Sequence, residues 1–434
     1  MTNFLNKKFS LAIGSVIVCT TPFAFTSLTS CSSDLHKIQF ANFESYMDGT
    51  LMNHLADTYD VQFQWYTVTE MIETKFKRFY DVAAPSGYEL AALYKKGLLE
   101  PIDWEQFNIE GIKTSDDALS LFADDVKQEI VKMNGMFGIN VLDYGVPYFA
   151  QTLNFVYKGD VATFYTNGTT TPTTSPTWED IFYSIGPKNP NVDQRFAKRR
   201  IGLLDDAKTM YDISRIMETG ENIMPDDADQ YDLMDTLTYL TKKARQGWYS
   251  LNTDSGIISR NLADHSSNSY IGAITWSGDA LYSALGAGEF EPYSGSQMHI
   301  QPASDAALNE IEFLVINKKN HDDVEKLERI HNLIFDVCLD GCKATDIDAK
   351  EGDRYKYWSM QNWDTVNYTP PLKTIYDYAT NPNSEYWDGF DSESKQLFIS
   401  ILKVPTAKPL FGRTLSQLQN SNLHWAWNNM KGNL

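Results

Sequence analysis

Residues 61–97 read VQFQWYTVTEMIETKFKRFYDVAAPSGYELAALYKKG and decide the fold class. Val61 to Trp65 alternates with a period of two, as a half-buried strand does. Glu70 to Arg78 has the mixed charge of an exposed helix, Tyr80 to Ala84 reads as a strand, and Gly87 to Lys96 reads as another helix. This strand–helix order predicts an α/β protein whose mainly parallel sheet is covered by helices.

The flanking sequence continues the same alternation. Leu35 to Phe43 is a strand-like run, and Met47 to Thr58 has helical spacing. Ser86 is suited to cap the helix that follows it, and Gly97 to end that helix. Far along the chain, Ile311 to Ile316 is an apolar strand.

A late amphipathic helix is predicted from His321 to Leu339. Its expected inner face consists of Val324, Leu327, Ile330, Ile334 and Val337. Two polar stretches, 166–177 and 188–200, are expected to be exposed inserts.

The N-terminus has the layout of a secretory signal. Lys7 and Lys8 precede an apolar run, Phe9 to Phe25, and small residues lead to Cys31. This layout predicts a signal peptide over 1–30, acylation of Cys31 and a lipidated tether over 31–35. The alternative is an ordinary signal peptide in which the cysteine occurs by chance.

Charge and cysteine content narrow the functional class. The 434 residues carry 57 acidic and 37 basic side chains, a formal charge of −20. Such a chain lacks the basic surface that nucleic-acid binding requires. After signal removal and lipidation, Cys338 and Cys342 remain, four apart on a predicted helix, so free thiols are expected rather than disulfides.

Motifs for catalysis and metal binding are absent from the sequence. It contains no HExxH, CxxC, P-loop or GxSxG motif, and its seven histidines lack ligand spacing. No metal, cofactor or enzymatic activity is therefore predicted. Asp205 and Asp206 form an adjacent acid pair that suits glycoside hydrolysis, helix capping or ligand binding.

Short motifs recur in a fixed order along the chain. They are ANFESY (41–46), APSGY (84–88), KGLLEPID (96–103), VPYF (146–149), TWED (177–180), LLDDA (203–207), TWSGDA (275–280) and NYTPP (367–371). Together they resemble the spermidine/putrescine-binding proteins of polyamine ABC importers. The chain after Pro371 matches this family poorly.

The resemblance implies a two-lobed, type 2 periplasmic-binding-protein-like fold with crossing segments and a central ligand cleft. Lobe 1 is expected to comprise 36–144 and 276–340, and lobe 2 to comprise 145–275 and 341–434. It also implies ligand delivery to the permease subunits of an ABC transporter.

Polyamine binding sets its own chemical requirements. The ammonium groups need carboxylates, because desolvating them is otherwise uncompensated. The methylene chain needs aromatic walls, and an ammonium over a ring face gains cation–π attraction.

The resemblance assigns ligand-binding positions residue by residue. They are Phe43, Glu44, Ser45, Tyr46, Ser86, Tyr88, Asp206, Trp276, Asp279, Glu312 and Tyr368. The match departs from the family where Ser45 stands at the usual acidic position, next to Glu44, and where Glu310 replaces a tryptophan. Phe43 and Trp276 also suit a core, and Ser86 and Asp206 also suit helix N-termini.

The functional hypothesis is a monomeric lipoprotein that captures polyamine at the outer face of the cytoplasmic membrane. One alternative keeps the fold and changes the ligand to iron, thiamine or a sugar. Another is a lipid-anchored glycoside hydrolase with Asp206 and a second carboxylate as its acid pair. A third is a surface adhesin that has lost transport.

Overall fold

The structure, a computed structural model, describes residues 37–44, 46–66, 75–196, 200–243, 248–405, 408–413 and 415–433. The predicted signal peptide, the tether with Cys31 and the candidate site residue Ser45 lie outside these ranges, as does most of the predicted helix Glu70–Arg78.

Fifteen strands occur among the described residues. They are β1 Ile38–Phe43, β2 Val61–Tyr66, β3 Val82–Ala83, β4 Leu99–Glu100, β5 Gly145–Lys158, β6 Phe164–Tyr165, β7 Pro172–Thr173, β8 Ile201–Leu204, β9 Tyr249–Asn252, β10 Gly272–Trp276, β11 Met298–Gln301, β12 Ala307–Asn317, β13 Lys350–Glu351, β14 Arg354–Tyr355 and β15 Pro409–Phe411.

Fourteen α-helices occur in the same part of the chain. They are α1 Gly49–Tyr59, α2 Gly87–Lys95, α3 Ser115–Ala118, α4 Asp124–Phe137, α5 Trp178–Ile185, α6 Ala207–Thr219, α7 Gln230–Lys243, α8 Ser255–Ala263, α9 Ser277–Ala284, α10 Val324–Ile334, α11 Trp358–Val366, α12 Lys373–Ala379, α13 Ser392–Leu402 and α14 Gln417–Met430. A π-helical turn, Phe335–Leu339, extends α10.

The main sheet has the strand order β2-β1-β3-β12-β5-β10-β8-β9, with β4 and β15 on β12 and β11 on β5. Strands β1, β2 and β3 are parallel, and so are β8, β9 and β10. Strands β5 and β12, in contrast, run antiparallel to each other, and β12 is also antiparallel to β3 and β5 to β10. The predicted parallel pairing is therefore correct within these two outer groups and for β12 with β15, whereas the other pairings of β5 and β12 are antiparallel.

Strand β5 connects the two outer groups. Its first half, Gly145 to Thr152, pairs with β12, whereas Leu153 to Tyr157 pairs with β10. All residues of β5 and β12 are buried, as expected for strands covered on both faces. The predicted two-lobed α/β fold with crossing segments is confirmed, and β5 and β12 are the crossing strands.

The apolar interior forms two clusters. The larger one contains buried side chains of α1, α2, α4 and α10 to α13, together with parts of α8 and α9. The smaller one contains those of α5, α6, α7 and α14. The predicted lobe boundaries stay a prediction. Within segment 341–434, buried residues 347–404 lie in the larger cluster and 423–430 in the smaller one.

Local predictions agree with the structure where the pattern was strongly periodic. Strand β2 and helices α1 and α2 begin and end within about two residues of their predicted limits, and β1 ends at the predicted Phe43. Cys338 and Cys342 are free thiols, as predicted.

One residue of the predicted inner face of α10 was wrong. Val324 is 76% exposed. It is the first residue of the helix, directly after the capping Asp323. The side chain of Lys326 turns inward instead, and its Nζ lies 2.9 Å from Oδ2 of the buried Asp81.

Candidate ligand-binding site

Tyr46 lies in the loop between β1 and α1, where two side chains hold its backbone. Its backbone carbonyl accepts hydrogen bonds from the Tyr148 hydroxyl and from Asn42 Nδ2. Asn362 Nδ2 in turn donates to the Tyr148 hydroxyl at 3.3 Å. These contacts fix the loop and direct the Tyr46 hydroxyl toward β12, where it donates to Glu312 Oε2 at 2.5 Å.

Glu312 lies on β12 at an irregularity in the pairing with β5 and is 2% exposed. It accepts hydrogen bonds from Tyr46 and, at 3.1 Å, from Gln151 Nε2. Burial raises its pKa to about 8, and the negative charges of Glu310 and Asp279 add to this rise, while the Tyr46 hydrogen bond opposes it. This carboxyl group therefore holds a proton at neutral pH.

Asp279 lies in the first turn of α9, directly after β10. Burial raises its pKa to about 6. Hydrogen bonds from nearby hydroxyl groups oppose this rise, and these hydroxyls belong to Ser255, Tyr368, Ser259 and Thr275. These hydroxyls supply hydrogen bonds to the carboxyl group, but Oδ2 is buried and makes none of normal geometry with the described residues. A buried, unpaired carboxylate oxygen is costly, so this atom is suited to a donor from outside the chain.

Aromatic rings enclose these carboxyl groups. The Tyr46 ring lies edge-to-face against Tyr368 at a centroid distance of 4.8 Å and against Phe149 at 5.3 Å. Phe43 contacts Tyr46 at 5.6 Å and Tyr66 at 4.5 Å. The rings supply the apolar and cation-attracting walls that an alkyl ammonium requires.

Gly278 allows Tyr368 to reach Asp279. A Cβ atom on Gly278 would lie 1.9 Å from Cδ2 of Tyr368. Only glycine therefore fits at this position of the TWSGDA motif, because the tyrosine ring packs directly on the backbone at the start of α9.

A second group of side chains lies around Tyr88, at the start of α2. Gly412 donates its N–H to Glu310 Oε1 at 2.8 Å, and a Cβ on Gly412 would lie 2.4 Å from Cδ1 of Tyr88. From the first turn of α6, a helix of the smaller cluster, Lys208 places Nζ 4.8 Å from the centroid of the Tyr88 ring. The same Nζ lies 2.7 Å from Asp212 Oδ2.

The structure brings most of the predicted site residues together. Tyr46, Asp279, Glu312 and Tyr368 interact directly, and Phe43 packs on their edge. Ser86 forms an isolated backbone bridge with Glu312. It occupies the N-cap position of α2, but its side chain makes no capping hydrogen bond.

Other predicted residues have different surroundings. Glu44 is exposed. Asp206 caps α6, where its Oδ1 accepts from Thr209 N at 2.8 Å. Trp276 is half-buried and packs against the smaller cluster. The assignment of these residues to ligand binding stays a prediction.

Asp205, the neighbour of Asp206, is occupied by other partners. Its carboxylate accepts from Trp427 Nε1 at 2.6 Å and pairs with Lys431 Nζ at 2.8 Å. The geometry therefore gives no support to Asp205 and Asp206 as a catalytic acid pair. The described residues contain no group of His, Cys, Asp or Glu side chains that could hold a metal ion.

Sequence reasoning missed several residues at this site. Phe149, Gln151 and Lys208 were not among the candidates, although all three contact the predicted residues. Gln151 carried a signal, because a polar residue inside a fully buried strand needs a hydrogen-bond partner. Lys208 carried no such sequence signal, since its position over Tyr88 depends on how helices far apart in the sequence pack.

Among the described residues, no cationic side chain is placed to keep the two carboxyl groups at the centre of the site ionised. Within the described ranges, neither Asp279 nor Glu312 forms an ion pair with a lysine, arginine or histidine. The hydroxyl and amide groups around them are neutral. The site can therefore accept positive charge from a ligand.

A family model described as hypothetical lipoproteins (MG045 family) matches residues 6–403. The chain belongs to this lipoprotein family. No curated protein matches the chain. Along the described residues, none of the helices is long and apolar enough to cross a membrane.

Solved structures share the fold at low sequence identity. A putative spermidine/putrescine ABC transporter protein from Listeria monocytogenes is 16% identical, with a TM-score of 0.57 over 91% of this chain and 99% of that one. The spermidine/putrescine substrate-binding protein PotD from Streptococcus pneumoniae is 17% identical, with a TM-score of 0.54 over 91% and 98%. Thiaminase I from Bacillus thiaminolyticus is 12% identical, with a TM-score of 0.53 over 91% and 99%.

These similarities confirm the family resemblance predicted from the motifs and the two-lobed fold. Because the fold is shared with an enzyme as well as with binding proteins, it does not decide between binding and catalysis. The function has to be argued from the site.

Proposed function

We propose that the chain is a solute-binding lipoprotein that holds a small organic cation of the polyamine class between its lobes. The observation that carries the proposal is the pair of buried carboxyl groups, Asp279 and Glu312, without an ion pair and surrounded by aromatic rings. A ligand ammonium would supply the missing charge and would pack on those rings.

The acidity of the site favours a cation over a neutral ligand. A neutral sugar brings no charge to balance two carboxyl groups whose pKa values are raised by burial, that of Glu312 also by the charge of Asp279. Binding a cation would lower both pKa values, because an adjacent opposite charge stabilises the carboxylates. Ligand capture would therefore release protons.

The cellular setting follows from the lipoprotein family and the predicted lipobox. Acylation of Cys31 would anchor a monomer to the outer face of the cytoplasmic membrane. The hinge strands β5 and β12 would let the lobes close on the ligand and present it to the permease subunits of an ABC importer. The predicted division of the chain into lobes belongs to this proposal.

A thermal-shift panel on the purified protein tests the ligand class. Putrescine and spermidine should raise the melting temperature in a concentration-dependent way, because a ligand that binds only the native state stabilises it. Thiamine, ferric iron and neutral oligosaccharides serve as the competing classes. Stabilisation by one of these and not by amines would overturn the proposal, as would turnover of an oligosaccharide.

A further inference from the structure

Lys208 brings a positive charge of the chain itself onto a predicted ligand-binding ring. It lies in the first turn of α6, in the lobe formed around β8 to β10, whereas Tyr88 opens α2 in the other lobe. The ammonium nitrogen lies 4.8 Å from the centroid of the Tyr88 ring, within the range of a cation–π contact. The contact therefore spans the two lobes.

The position of this ammonium is fixed by a second contact. Nζ lies 2.7 Å from Asp212 Oδ2, one helical turn along α6, and the two side chains are only 12% and 9% exposed. Shielded from water, such a pair is screened much less by salt than a surface pair. Lys208 is thus a built feature of the interior and not a mobile surface lysine.

The neighbourhood of Tyr88 belongs to the candidate site. Gly412 packs against both Tyr88 and Glu310, and Glu310 in turn raises the pKa of Glu312 by charge repulsion. An ammonium of a long ligand that extended from Glu312 past Glu310 would meet the Tyr88 ring already covered by Lys208. Like charges at close range in a poorly solvated site repel strongly.

We propose that Lys208 is a resident cation that fills one ammonium position of the cleft, so that the ligand is a compact cation with one or two positive charges and not a triamine. This inference rests on the proposed function, since it names the ligand size for the same site. Asp279 and Glu312 then match the remaining charge, one carboxylate for each ammonium.

Calorimetric titration tests the inference. The wild type and Lys208→Met are each titrated with the diamine putrescine and with the triamine spermidine. The wild type should prefer putrescine. Lys208→Met keeps the apolar stem, removes the charge and releases Asp212, so spermidine affinity should rise at least about tenfold while putrescine affinity changes little. Lys208→Arg retains a cation and should keep the preference of the wild type.

The matched control is Lys373→Met. Lys373 forms an ion pair of the same spacing with Asp377 at 2.6 Å, but on the exposed surface of α12. Lys373→Met should leave the affinities for putrescine and spermidine unchanged. Equal effects of Lys208→Met on the two amines would overturn the inference and leave the proposed function standing. If neither the wild type nor any variant binds either amine, the proposed function itself fails. If Lys208→Met does not fold, the wild type still tests the inference. A wild type that prefers spermidine would overturn the inference and leave the proposed function standing.

Discussion

The proton on Glu312 has a measurable consequence for stability. An acid whose pKa is higher in the folded than in the unfolded state makes the native protein bind more protons between those two values. Stability therefore falls as pH rises from about 4.5, the ordinary value, to about 8, the folded value. The free energy of unfolding falls by up to about 1.4 kcal/mol per pH unit where the folded state binds one whole proton more than the unfolded state.

Glu312→Gln should remove this decline. The amide can still accept from Tyr46, and it can donate to Gln151 Oε1, which is buried without a partner in the described structure. Urea unfolding at pH 5, 6, 7 and 8 should give a flatter profile for the variant than for the wild type. Parallel profiles would contradict the raised pKa.

Asp279 is predicted to pair with a ligand ammonium. Asp279→Asn should weaken putrescine binding by about tenfold or more, because hydrogen bonds to a charged group contribute about 1.5–3 kcal/mol. Asp124→Asn is the control, since Asp124 also opens a helix but its side chain is 78% exposed. Calorimetry distinguishes the two variants, and equal affinities for Asp279→Asn and the wild type would remove Asp279 from the site.

At the scale of secondary-structure elements, the junction of β10 and α9 positions Tyr368. Gly278→Ala should displace the Tyr368 ring, because the new methyl group would lie within about 2 Å of it. We expect amine affinity to fall although the residue itself offers no side chain to the ligand. The control, Gly135→Ala in α4, has nothing within 4 Å and should slightly stabilise the protein.

Melting temperatures and amine titrations of both variants provide the measurement. A Gly278→Ala protein that binds like the wild type would show that Tyr368 does not need its observed position.

The elements also show what sequence reasoning could reach. The period of β2 and the cap and stop around α2 are local signals, so both were predicted near their observed limits. The start of β12 was missed, because Asn309 and Glu310 break the apolar run although both are buried. Their burial depends on β5 and β15, which lie far away in sequence.

The same division holds for the site. Tyr46, Asp279 and Tyr368 could be predicted because short motifs carry them. Gln151 could be flagged only as a buried polar residue, since its partner Glu312 is brought to it when β5 pairs with β12. Lys208 could not be selected, since its contact with Tyr88 depends on the packing of distant helices.

At the scale of the whole molecule, β5 and β12 are the elements about which the lobes would close. A bound cation contacting Asp279 and Glu312 should favour the closed arrangement, so small-angle X-ray scattering should give a smaller radius of gyration with putrescine than without it. The double variant Asp279→Asn/Glu312→Gln should show no such change. Identical scattering of the wild type with and without saturating amine would contradict closure on the ligand.

Cation capture by a protonated carboxyl group can be measured as proton release. Putrescine would be titrated calorimetrically into the purified protein at pH 7 in two buffers of different ionisation enthalpy. We predict saturable binding, with release of nearly one proton per ligand that disappears in Glu312→Gln. The absence of binding heat in both buffers, or binding with no proton release in the wild type, would contradict the assignment of the buried Asp279–Glu312 site as a cation site.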